Sequence, residues 1–194
     1  MMLHRGPIAP NAGRMMIFID GENMVLRYQH LLNKGSNPKT DVVHEHDVYV
    51  WKKEAISHEG HEIIRATLYT SLSGDNSRIE HVEREIKQLN FDKYSHSFKP
   101  NHLTPCIFKK VRKTDKAKGV DIKLTIDILH HLYNDNFDSA YLITGDGDYI
   151  PIIEEVIRNG KNIFLAAFSI GLSKRLPILV DKYIDLDNIF FASE

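Results

Sequence analysis

Cys106 is the sole cysteine among 194 residues, so no internal disulfide can form; a disulfide-built secreted scaffold is excluded and a reducing cytoplasm is the expected compartment. No apolar run approaches the roughly 18 residues that a membrane-crossing helix needs, and the chain reads as soluble, with no membrane contact. The opening stretch holds Gly6, Pro7, Pro10 and Gly13 but no apolar core of a secretory leader, and residues 1–14 are expected to form a mobile tail. Neither sign of charge prevails: 25 Lys and Arg face 26 Asp and Glu, and the net charge of -1 points to no class of partner. The 11 histidines show neither H-E-x-x-H nor Cys/His finger spacing, which leaves His44/His46 and His58/His61 as minor metal candidates. With 42% hydrophobic and 26% charged residues, disordered and fibrous classes are excluded, and the length suits one domain with a substantial core.

Carboxylates stand where apolar runs end. Ala140 to Thr144 reads as a buried strand that gives way to Gly145-Asp146-Gly147-Asp148 and then to a helical pattern through Ile152, Ile153, Val156 and Ile157. Met15 to Ile19 is a second continuous apolar run, the pattern of a strand buried on both faces in a parallel sheet, and it ends in Asp20-Gly21-Glu22-Asn23. Ligands of open α/β sheets bind at such strand ends. The plainer reading makes Asp148 a helix N-cap and Asp20 and Asp146 cap or turn residues. A helix from Gly119-Val120-Asp121 to about Tyr133 buries Leu124, Ile128 and Leu132; its spacing turns Asp121 toward the same inward face and Asp127 away, to brace the helix or support the site.

The intervening chain supplies scaffold and charge. Val48, Trp51, Ala55 and Ile56 recur at helical spacing up to Gly60, Glu62 to Leu72 reads as a strand, and Ser77-Arg78-Ile79-Glu80 as a capping box before a helix on Ile79, Val82, Ile86 and Leu89. Phe91 to Phe98 is expected to be an edge strand, with Pro105 to Val111 as a hairpin arm beside it. From Lys109 to Lys118 six cations meet one anion, so Lys109, Lys110, Arg112, Lys113 and Lys118 are candidate contacts to a polyanion, weighed against an ordinary solvated face. Asn162 to Phe168 and Tyr183 to Leu186 complete an alternation that argues for a mostly parallel sheet with helices on both faces.

Were the strands bearing Asp20 and Asp146/Asp148 neighbours, Asp20, Asp121, Asp146 and Asp148 would converge. Carboxylates about 4 Å apart repel by several kcal/mol at an effective dielectric near 20, a penalty that a divalent cation removes. An all-oxygen set suits Mg²⁺ or Mn²⁺, and such an ion can activate water against a phosphodiester.

The segments F-I-D-G-E-N at Phe18 to Asn23, K-G-V-D-I-K-L-T-I-D at Lys118 to Asp127 and T-G-D-G-D-Y at Thr144 to Tyr149, followed by G-K-N-I-F-L-A-A-F, resemble the signature blocks of NYN domains, members of the PIN-like ribonuclease superfamily. The resemblance implies a single Rossmann-like (PIN-like) α/β domain over residues 15–187 with 188–194 as its C-terminal end. It also implies metal-dependent cleavage of RNA at Asp20, Asp121, Asp146 and Asp148 as catalytic and metal-binding residues, with Asn23 beside them on the substrate. Two other functions compete: a non-catalytic RNA-binding or regulatory module of the same family, and a phosphatase of the haloacid dehalogenase type, which Asp20-Gly21-Glu22 fits poorly because that class needs D-x-D. Homo-oligomerisation stays open.

Overall fold

In a computed structural model that describes residues 13–56, 60–91, 101–110 and 119–192, the run from Met15 to Ile19 lies at the centre of a six-stranded sheet. Strand β1 (Arg14–Asp20) leads into helix α1 (Gly21–Asn33), a small hairpin of β2 (Val43–Glu45) and β3 (Tyr49–Trp51), then β4 (Glu62–Ser73), α2 (Asn76–Gln88) and β5 (Thr104–Lys110). Helix α3 (Val120–Tyr133) then leads to β6 (Ser139–Ile143), α4 (Ile150–Arg158), β7 (Asn162–Ala167), the short α5 (Leu176–Leu179), β8 (Lys182–Asp185) and α6 (Asp187–Phe190). The sheet order is β5-β4-β1-β6-β7-β8, with every neighbouring pair parallel. The chain thus builds outward from β1 to β5, returns, and builds outward again from β6. The order reverses between β1 and β6, the position at which open α/β sheets bind ligands, at the carboxyl ends of the strands.

Strand alternation divides the core into two layers. Met15, Ile17 and Ile19 pack with Met24, Val25 and Tyr28 of α1 and Val82 and Ile86 of α2. Met16 and Phe18 face the other way, against Leu124, Ile128 and Leu132 of α3 and Ile153 and Val156 of α4. Among the described residues no helix is long and apolar enough to cross a membrane.

Four local readings need correction. The expected helix around Val48 to Ile56 is instead the β2/β3 hairpin followed by a single 3-10 turn at Lys53–Ala55. Val48 to Trp51 are four consecutive buried residues, a pattern whose period favours neither helix nor strand; Asp47 at φ 62° makes the turn between the two strands. Strand β5 is no hairpin arm: it pairs parallel to β4, from Thr67 opposite Thr104 to Ser73 opposite Lys110, while residues 92–100 of the expected edge strand lie outside the described residues. The cap of α2 is Asp75, whose carboxylate accepts the Arg78 N–H at 2.9 Å, and Ser77 already lies within the helix. Arg14, placed with the tail by composition, opens β1, and its guanidinium meets Asp138 at 2.9 Å; the rest of the expected tail, residues 1–12, lies outside the described residues.

Gly21 marks where α1 comes closest to the sheet. A Cβ there would stand 2.8 Å from the Tyr69 carbonyl oxygen and 3.1 Å from Leu68 Cδ2, and the carbonyl cannot yield without moving β4. Gly21→Ala is therefore expected to destabilise the protein by roughly 1–3 kcal/mol through overpacking, read as a lower melting temperature; an unchanged melt would show that α1 moves off the sheet without cost.

Candidate active site

The carboxyl ends of β1 and β6 are stitched together by side chains from the two acidic segments. Asp20 ends β1 and caps α1: its Oδ1 accepts the Asn23 N–H at 3.0 Å and its Oδ2 the Thr144 hydroxyl at 2.9 Å. Thr144 Oγ1 in turn accepts the Asp146 N–H at 3.2 Å, and Asn23 Oδ1 accepts the Gly145 N–H at 3.0 Å. These bonds fix the turn after β6 against the start of α1. Asn23, expected to contact substrate, has its carbonyl oxygen engaged as a clamp on Gly145.

Asp20 is only 3% exposed. Burial pushes its carboxyl up to about 7; the Asn23 N–H and the Thr144 hydroxyl pull it down, while the charges of Asp121 and Glu22 raise it further. A carboxylate this costly to ionise favours a cation nearby.

Asp146 rather than Asp148 does the capping after β6. Its Oδ1 accepts the Asp148 N–H at 3.0 Å at the start of the 3-10 turn Gly147–Tyr149, and Asp148 itself is exposed. Tyr149 is buried beneath the turn and donates its hydroxyl to Asp121 Oδ1 at 3.1 Å. Burial, then the charges of Asp20, Asp121 and Asp146 together with the Asp121 hydrogen bond, hold its phenol well above the ordinary range. The fields of three carboxylates from three separate segments therefore meet at one phenol.

Asp121 is placed differently from its expected position. Gly119, at φ 113°, precedes α3 as its cap residue, so Val120 joins Leu124, Ile128 and Leu132 in the buried stripe and Asp121 is rotated out of it. It is exposed and, with Asp146, Asp148 and Tyr149, lines a cavity of about 230 Å³ whose other wall is Ile122, Thr125 and Ile126. Asp20 is not among the lining residues. Asp127 braces the helix: it accepts the Tyr69 hydroxyl at 2.9 Å and pairs with Lys123 at 2.5 Å.

The basic run divides in two. Lys110 is paired with Glu22 at 2.8 Å, and the Ser71 hydroxyl donates to the same carboxylate oxygen; Lys109 is exposed, with Asn76 Oδ1 at 3.2 Å. Arg112, Lys113 and Lys118 lie outside the described residues, as does His58. His44 Nε2 sits 3.3 Å from Gln29 Oε1, His46 pairs with Asp47, and His61 Nε2 is 3.1 Å from the Ser139 hydroxyl. Among the described residues no three His, Cys, Asp or Glu side chains are gathered tightly enough to hold a metal ion. The donors still suit Mg²⁺ or Mn²⁺, because such ions retain waters and take only one or two protein carboxylates along with substrate phosphate oxygens.

Sequence reasoning gave no role to Thr144, Tyr149, Ile122 or Ile126. Thr144 and Tyr149 flank the two aspartates in the chain, the one signal that could have found them. Ile122 and Ile126 were legible only as apolar residues off the helix's buried stripe.

The family model described as the NYN domain matches residues 14–187. An uncharacterized protein of Methanocaldococcus jannaschii is 27% identical over 74 residues, which is 38% of this chain and 31% of that protein's length. The crystal structure of a protein of unknown function from Vibrio parahaemolyticus superimposes with a TM-score of 0.60 at 16% identity, over 96% of this chain and 100% of that one, a likeness of fold.

Proposed function

We propose, from the premise that this chain belongs to the NYN domain family of PIN-like nucleases, that it is a metal-dependent endoribonuclease cleaving RNA at the carboxyl ends of β1 and β6. The observation that carries the reading is that Asp121, Asp146 and Asp148 line one cavity beside Tyr149, whose hydroxyl bonds Asp121, while Thr144 ties Asp20 to the Asp146 turn at the point where the strand order reverses. Two of Asp121, Asp146 and Asp148, which line one cavity, would hold Mg²⁺ or Mn²⁺ together with waters, with Asp20 behind them. Such an ion supplies charge neutralisation at the scissile phosphate and activation of the attacking water.

The protein's own groups act by positioning. Tyr149 aims Asp121 through its hydroxyl, the Asp148 N–H fixes the Asp146 carboxylate, and the Asn23 and Thr144 bonds hold Asp20 rigid between two strands. Asp20, 3% exposed and off the cavity wall, acts through its charge on the residues in front of it and not by touching substrate. The phosphatase reading loses ground on Glu22, which stands where the second aspartate of D-x-D would be and is taken by Lys110 and Ser71.

The deciding experiment incubates purified protein with a pool of cellular RNA in Mn²⁺, in Mg²⁺ and in chelator, beside a phosphomonoester. Cleavage of RNA in either metal and none in chelator is expected. No cleavage under any condition leaves the RNA-binding module as the better description, and release of phosphate alone favours the phosphatase.

RNA affinity should draw unequally on the basic run. Because Lys110 is already neutralised by Glu22 while Lys109 is exposed, Lys109→Gln is expected to lower the slope of log affinity against log salt by up to about 0.7, the single-strand value per phosphate contact, and Lys110→Gln by much less. Equal slopes for both variants would mean that the Glu22 pair opens when RNA binds.

A further inference from the structure

Helix α3 carries two apolar side chains that its packing leaves unused. Val120, Leu124, Ile128 and Leu132 form its buried stripe, yet Ile122 and Ile126, one turn apart, stand 65% and 53% exposed. One exposed isoleucine is ordinary on any surface. Two are less so here, because β-branched residues rank below alanine or leucine in a helix and because both line the same cavity as Asp121, Asp146 and Asp148. Apolar side chains offer a phosphate neither donors nor charge. What they suit is a flat, weakly polar group covalently attached to a phosphate.

We propose that Ile122 and Ile126 form a shelf for a nucleobase: the unpaired base beside the scissile phosphate lies on the two isoleucines while its phosphate reaches the carboxylate rim. This inference rests on the nuclease reading above and narrows its substrate class to single-stranded RNA. In a duplex each base is stacked and paired, and it reaches such a shelf only after unstacking at a cost of a few kcal/mol. Covering the exposed parts of two isoleucines is expected to contribute about tenfold in affinity.

The test compares wild type with an Ile122→Ala, Ile126→Ala double variant, whose fold is checked by its melting curve. Fluorescence anisotropy after rapid mixing in Mg²⁺ reads binding before turnover, and cleavage is followed on the same samples. The probes are a short single-stranded RNA, the same sugar–phosphate chain without bases, and an RNA duplex. Wild type is expected to prefer the intact single strand over the base-free chain by about tenfold, and the variant to lose that preference because the two deletions remove one contact. If wild type cleaves RNA while the variant keeps the full preference for bases, the shelf is overturned and the nuclease reading stands. If the preference is lost in the variant but wild type cleaves nothing, the shelf stands as a binding surface and the catalytic reading fails. Equal binding of duplex and single strand by wild type also overturns it. So does sedimentation showing that wild type self-associates through these residues with RNA affinity unchanged in the variant, which would make the face a contact between copies.

Discussion

Asp20→Asn is expected to lose RNA cleavage by a hundredfold or more while melting at a higher temperature than wild type. The two effects share one cause. Asp20 is 3% exposed and its carboxyl is pushed up to about 7 by burial, so at pH 8 the fold carries a charge that it solvates poorly. Asparagine keeps an oxygen for the Asn23 N–H and offers its amide to Thr144 Oγ1, at the cost of redirecting the threonine hydroxyl. Removing the charge relieves the desolvation, and each kcal/mol recovered raises the melting temperature by roughly 2–4 °C in a chain of this size. The same substitution removes a negative charge from behind the acidic cavity, and loss of one group that stabilises the transition state commonly costs on the order of a hundredfold in rate.

The sign of the pH dependence follows from the raised carboxyl. A folded-state value near 7 against the ordinary 3.8 means that the native state holds the Asp20 proton more tightly than the unfolded chain. Its contribution to stability is complete below about 3.8 and is lost as pH rises through about 7. In chelator, the advantage of Asp20→Asn over wild type in melting temperature should therefore grow between pH 4 and pH 7 and then level off. A variant that melts lower than wild type at pH 8 would show that the Thr144 bond outweighs the buried charge. Asp146→Asn should lose cleavage comparably while RNA binding survives, since it removes repulsion toward phosphate, and the double variant should lose little more because residues acting as a unit are non-additive.

Trp51→Ala should produce the largest loss of stability, about 3–5 kcal/mol as for other buried aromatic truncations. Trp51 is 2% exposed at the end of β3, within the layer that α1 and α2 share, and its indole N–H donates to the Asn90 carbonyl at 2.8 Å. Truncation leaves a cavity and an unpaired carbonyl together. Trp51→Phe separates the two: it keeps most of the volume and should cost roughly 0.5–1.5 kcal/mol for the lost hydrogen bond, because the exposed Asn90 can turn its carbonyl to water. Denaturant unfolding followed by circular dichroism reads both. A Trp51→Ala loss under 1 kcal/mol would mean that the β2/β3 hairpin is not integral to the core.

Trp51 also shows where local reading of the chain fails. Val48, Trp51, Ala55 and Ile56 match a helical period, but Tyr49 and Val50 between them are buried as well, so no face is left for water and periodicity carries no information. The turn at Asp47 was visible only as one polar residue among several. The helices α3 and α4 were legible for the opposite reason: each has one wet face and one dry face, and the alternation is written in consecutive residues.

The sequence by itself determined the class of the fold and which strand ends carry its aspartates. Apolar runs at Met15 to Ile19 and Ala140 to Thr144 can be buried on both faces only inside a parallel sheet covered by helices, and each delivers aspartates at its carboxyl end whatever lies beside it. Those are properties of a few adjacent residues. Only the tertiary structure decided which strand pairs with which, and with that the parallel edge position of β5, the Glu22–Lys110 pair across 88 residues of chain, the Tyr149 hydroxyl on Asp121, and the exchange of roles between Asp146 and Asp148. It also decided that Asp20 is dry. A carboxylate's charge is set by what surrounds it in space, and beyond its cap partner Asn23 the surroundings here arrive from Asp121 and Thr144, which no local pattern joins to Asp20.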